Sequence, residues 1–67
     1  MKAFAERLKE LREEKGMSQT QLAKATKLSK SAIGYWEAEK RVPNAEVIIT
    51  LAQYFGVSAD YLLGLEN

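Results

Sequence analysis

Sixty-seven residues make one small domain, and 46% hydrophobic with 28% charged residues is a globular balance that leaves disorder without support. Cysteine and histidine are both absent, which removes disulfides, thiol nucleophiles, zinc clusters and imidazole chemistry, so no metal, cofactor or catalytic residue is expected. Net charge is +1, from ten Lys and Arg against nine Asp and Glu, a total that does not by itself point to nucleic acid.

The chain divides into five segments of helical character. Phe4, Leu8 and Leu11 fall at i, i+4, i+7 among charged residues, which predicts an amphipathic helix over about 2–15, ended by Gly16. A second, over 18–26, opens on Ser18 with Gln21 three residues on, the pattern of a capping box. A third, over 29–38, has Ser29 as its N-cap and carries Ala32, Ile33 and Trp36 at helical spacing. After Pro43, which disfavours helix at the residue before it, Asn44 caps a fourth over 44–55, with Val47, Ile48, Leu51, Ala52 and Phe55 to bury and Gly56 to close it. Ser58 and Asp60 start a fifth over 58–64, bearing Tyr61, Leu62 and Leu65. No segment alternates with period two, so the expected class is all-α, with residues 1–67 forming a single domain.

No apolar run approaches the roughly 20 residues of a membrane span. Lys2, Glu6 and Arg7 interrupt the N-terminus before a signal-peptide core can develop, so the expectation is a soluble, cytoplasmic chain without a membrane partner.

The stretch Ser18 to Glu37 is a short capped helix, a turn of three or four residues and a second capped helix. That is the arrangement of a helix-turn-helix, although adjacent helices also occur in ordinary bundles. The residues themselves carry more. Met17-Ser18-Gln19-Thr20-Gln21-Leu22-Ala23, Leu28-Ser29-Lys30-Ser31-Ala32-Ile33, Trp36-Glu37, Arg41-Val42-Pro43 and the run Leu51 to Gly64, with Gly56-Val57-Ser58-Ala59-Asp60-Tyr61-Leu62-Leu63-Gly64, recur in order along nearly the whole chain. In them the sequence resembles the Cro/C1-type (xenobiotic response element) family of helix-turn-helix repressors.

The resemblance implies a compact five-helix fold of the phage lambda-repressor kind, with the helix-turn-helix at helices 2 and 3. Lys30, Ser31 and Tyr35 match the positions that read base edges, and spacing puts all three on one face of the third helix. Gln19 matches a phosphate-holding position at a helix N-terminus, and Lys27, Lys40, Arg41 and Asn44 fall where further phosphates are met. Glu37 and Arg12 match a supporting carboxylate–arginine pair, while Ile33 and Trp36 match core positions.

Three residues depart from the family pattern. Lys27 stands where a turn glycine is usual, at a cost of about 1 kcal/mol if left-handed, and its charge can reach a phosphate. Glu39 replaces a glycine after the third helix with a carboxylate that DNA would repel, leaving the path of that loop open. Gly34 weakens the third helix by roughly 0.5–1 kcal/mol relative to alanine, and reads either as a point of close backbone approach to DNA or as an unselected position.

Charge, split by segment, is uneven. Residues 1–16 sum to +1; residues 17–41 hold five cations against two carboxylates, +3; residues 42–67 hold Glu46, Asp60 and Glu66, −3. Basic charge therefore sits on the proposed reading unit. With few cations per copy, binding should be modest and salt-sensitive, which favours a homodimer on an operator of two half-sites about one helical turn apart.

The reading that follows is a double-stranded DNA-binding regulator, a repressor occupying a palindromic operator through helix 29–38. The alternative is a helical protein-interaction module, antitoxin-like or adapter, that keeps the fold without specific DNA binding. An enzyme would rest only on carboxylates such as Glu13 and Glu14, which point about 100° apart on a helix. Tyr54, Val57, Tyr61 and Leu65 read either as a partner surface or as ordinary core. The ending at Leu65-Glu66-Asn67 fits one domain of a longer regulator whose dimerisation part lies C-terminal.

Overall fold

The computed structural model describes residues 1–66; Asn67, the last residue of the expected domain, lies outside the described residues. Five helices, and no strand, occur among the described residues: α1 (Lys2–Glu14), α2 (Gln19–Thr26), α3 (Lys30–Glu37), α4 (Ala45–Phe55) and α5 (Ala59–Leu62). The molecule is an all-α body of 27 × 24 × 20 Å in which α1 packs on α3 and α5, α2 on α3 and α4, and α4 on α5.

Side chains start four of these helices. Ser18, Ser29, Asn44 and Ser58 each sit in extended conformation and accept a hydrogen bond from the amide three residues on. At α2 the bond is reciprocal, because the Ser18 amide also donates to Gln21 Oε1 at 2.8 Å, completing the capping box.

A left-handed residue ends α1, α3, α4 and α5. In each case its amide and the next one turn back onto the last-turn carbonyls, as in Gly16→Glu13 and Met17→Arg12, or Gly64→Tyr61 and Leu65→Asp60. This closure stops α5 at Leu62, short of the 58–64 expected from its apolar run. Glycine fills the left-handed position at α1, α4 and α5, Glu39 fills it at α3, and Lys27, at φ +61°, ends α2 in the same conformation.

The core is assembled from the apolar stripes: Phe4, Leu8 and Leu11 of α1, Leu22 of α2, Ile33 and Trp36 of α3, Ile48, Leu51 and Ala52 of α4, and Leu62 of α5. Tyr54, Val57 and Tyr61 are partly buried against it, so the core reading holds for these three, while Leu65 stays 73% exposed. Arg7 binds the end of the chain to α1: its Nη1 donates to the Tyr61 carbonyl at 2.6 Å and to the Glu66 carbonyl, and its guanidinium lies 4.2 Å from the Tyr61 ring centroid.

Gly64 lies against α1 as well. A Cβ there would stand 2.4 Å from Ala3 Cβ, and φ is +82°. Gly64→Ala therefore combines left-handed strain with a clash against an atom fixed to a helix backbone. It is expected to cost about 2–4 kcal/mol, read as a lower urea midpoint at unchanged slope.

Candidate nucleic-acid interface

The amphipathic pattern of α3 leaves one face on the core and the other exposed. Ile33 and Trp36 point inward, whereas Lys30, Ser31 and Tyr35 stay exposed. On the outer face Ser31, Gly34 and Ala38 recur at i, i+3, i+7, and their small side chains leave a shallow groove of about 360 Å³ along the helix. Gln19 borders it from the first turn of α2, and Lys30, Tyr35 and Lys40 complete the lining. Two lysines and no carboxylate line it among the described residues.

Gln19 is held there by a network that begins on α1. Arg12 meets Glu37 side-on, Nε to Oε2 at 2.8 Å and Nη2 to Oε1 at 2.9 Å, while Nη1 donates to the Met17 carbonyl at 2.7 Å. Glu37 Oε1 also accepts from Gln19 Nε2 at 3.2 Å. The pair is well enclosed, with side chains 11% and 6% exposed. Hydrogen bonding to Glu37 holds the Arg12 guanidinium above its usual range, against the opposing pull of burial. Arg12 therefore stays charged throughout the ordinary pH range, and its contribution fades only in strong base, above its unfolded value. One N–H of the Gln19 amide is committed to Glu37; the other remains for a ligand.

Of the residues singled out in the sequence, Lys30, Ser31, Tyr35, Gln19 and Lys40 come together at this groove, and Arg12 and Glu37 meet as a pair. Lys27, Arg41 and Asn44 do not line it. Lys27 is exposed in a left-handed turn at φ +61° between α2 and α3. Asn44 spends its Oδ1 on the Val47 amide as the cap of α4. Arg41 lies beside the groove, its guanidinium 4.8 Å from the Tyr35 ring centroid. The loop after α3 follows from Glu39: at φ +63° it turns the chain so that its neighbours Ala38 and Lys40 line the groove and Glu39 itself does not. Sequence reasoning singled out Gly34, as either a point of close approach or an unselected position, but missed that it and Ala38 form the floor of a groove, and missed the Gln19–Glu37 bond. The i, i+3, i+7 run of small residues was the available signal for the first.

Residues 8–62 match the helix-turn-helix family. The chain belongs to the Cro/C1-type helix-turn-helix family. It is 37% identical over 64 residues to the uncharacterized HTH-type transcriptional regulator YobD of Bacillus subtilis, covering 96% of this chain and 57% of that protein. It is 40% identical over 64 residues to the HTH-type transcriptional activator BcrR of Enterococcus faecalis, covering 96% of this chain and 31% of BcrR. It is 31% identical over 65 residues to the HTH-type transcriptional regulator ImmR of Bacillus subtilis, covering 97% of this chain and 51% of ImmR. The chain thus spans about half or less of the length of these helix-turn-helix relatives. None of its described helices is long and apolar enough to cross a membrane.

Gly34 gives a prediction that separates its two sequence readings. An alanine Cβ would meet only Gln19 Oε1 at 3.5 Å, an ordinary contact, so Gly34→Ala should stabilise the fold by about 0.5–1 kcal/mol, seen as a higher melting temperature. If the groove takes DNA backbone or a base edge at this point, the added methyl lowers affinity while stability rises. An unselected position would leave affinity unchanged.

Proposed function

We propose that this chain is a sequence-specific, double-stranded DNA-binding domain of a transcriptional regulator, which represses by occupying a palindromic operator as a homodimer. The observation that carries the reading is the groove on α3: a helix of eight residues presenting Lys30, Ser31 and Tyr35 outward, bordered by Gln19 and Lys40, with no lining carboxylate among the described residues. A major groove accepts a helix of this size, and lysine and serine can meet guanine acceptors and mixed base edges. Gln19 and the first-turn amides of α2 suit a phosphate. Family membership supports DNA-binding regulation, and the relatives named as transcriptional regulators support it further.

Homodimerisation follows from strength. One copy offers few cations, and two copies joined on two half-sites raise affinity without new contacts. The interaction-module alternative drew on Glu39, and that carboxylate lies outside the groove lining, which weakens its motive.

Selection from random duplexes tests the proposal. The expected result is a two-fold-symmetric consensus with half-site centres about 34–36 Å apart, lost in the triple variant Lys30→Ala, Ser31→Ala, Tyr35→Ala. A failure to recover any consensus, with amide shifts on adding duplex no larger than those from buffer, would remove specific readout. In a promoter reporter, occupancy of an overlapping consensus should lower expression; a rise would replace repression by activation.

A further inference from the structure

The three arginines of this chain are used differently. Arg7 donates to two carbonyls while lying over the Tyr61 ring, and Arg12 gives N–H groups to Glu37 and Met17. Arg41 makes no hydrogen bond or ion pair among the described residues; its one partner is the face of Tyr35, 4.8 Å from guanidinium carbon to ring centroid. A guanidinium over a ring face uses no N–H in that contact, so the five N–H donors of Arg41 carry no protein acceptor among the described residues.

Backbone geometry brings the two side chains together. Glu39 is left-handed, its amide donates to the Trp36 carbonyl at 3.2 Å, and the Lys40 amide turns back to the Tyr35 carbonyl at 2.8 Å. That closure returns the chain over the last turn of α3, so Arg41, six residues beyond Tyr35, falls over its ring. Both residues are exposed, Tyr35 at 43%, so the stack lies at the surface next to the groove and is not a core contact.

Resting on the DNA-binding reading, we propose that Tyr35 is a positioning residue for Arg41: its ring holds the guanidinium with its donor edge toward the DNA backbone, so that the two act as one phosphate-holding unit. Tyr35 then contributes through its face and not by reading a base, which leaves base readout to Lys30 and Ser31, and its hydroxyl is dispensable. The pairing also explains the left-handed carboxylate residue after α3, since the turn at Glu39 is what places Arg41.

The test has one arm without DNA and one with it. In the free protein, Arg41 side-chain protons should be displaced upfield by the ring current, with the displacement kept in Tyr35→Phe and lost in Tyr35→Leu. On the consensus duplex from random selection, Tyr35→Phe should bind as the unaltered protein does. Tyr35→Leu should lose about three-fold in affinity with its base preferences unchanged, and Arg41→Ala roughly ten-fold. The double variant should bind no worse than Arg41→Ala alone. Absence of the ring-current displacement, additive losses, or a changed base preference in Tyr35→Leu would each overturn the positioning role. A protein that shows the displacement but selects no duplex overturns the DNA reading instead, and the role with it. Circular dichroism of each variant verifies that these surface changes leave the helices intact.

Discussion

Glu37→Ala is expected to destabilise the domain by about 3–5 kcal/mol, because it leaves the Arg12 guanidinium enclosed with its charge uncompensated. Small domains have about 0.05–0.15 kcal/mol of stability per residue, so the loss would be a large share of what a chain of this length has. Urea unfolding followed by circular dichroism reads it directly. The mechanism is testable by a second variant: Arg12→Met with Glu37→Leu removes both charges together and should lie close to the unaltered protein, since an apolar pair of similar volume avoids the desolvation cost. A double variant as unstable as Glu37→Ala would mean that the pair itself, and not the stranded charge, stabilises the fold. Gln19 also loses its acceptor in Glu37→Ala, so its amide would no longer be fixed at the border of the groove.

Trp36→Ala should cost a similar 3–5 kcal/mol for a different reason. Helix α3 is eight residues long, and Ile33 and Trp36 are its buried apolar residues, so the indole supplies a large part of its hydrophobic hold on the body. Trp36 is 5% exposed and meets Phe4 of α1 edge-on, with ring centroids 6.4 Å apart at 77°. Its Nε1 has no hydrogen-bond partner among the described residues, so packing and not a polar contact is what the residue supplies. Trp36→Phe, which keeps an aromatic ring and removes that donor, should therefore lose much less than Trp36→Ala. Because Trp36 is the sole tryptophan, unfolding of both variants must be followed by far-ultraviolet circular dichroism and not by fluorescence.

Much of the fold was legible because it is specified locally. Ser18, Ser29, Asn44 and Ser58 announce helix starts through their own side chains, and apolar spacing within each helix identifies the inward face. The fifth helix was overextended because Tyr61-Leu62-Leu63 reads as a continuing stripe, whereas closure around Gly64 ends it earlier. At the site, helical arithmetic on α3 placed Lys30, Ser31 and Tyr35 on one outward face. What it could not supply were contacts between elements: Gln19 with Glu37 across 18 positions, and the guanidinium of Arg41 over Tyr35. Glu39 misled for a related reason. As a charge it argued against DNA; as a backbone conformation it directs Lys40 into the groove lining.

The enclosure of the Arg12–Glu37 pair has a consequence for reversibility. Exposed cations that meet phosphates are screened by dissolved salt, whereas a pair with side chains 11% and 6% exposed is largely shielded from it. Raising ionic strength should therefore weaken DNA binding while α3 stays docked on α1, so that release and rebinding need no refolding.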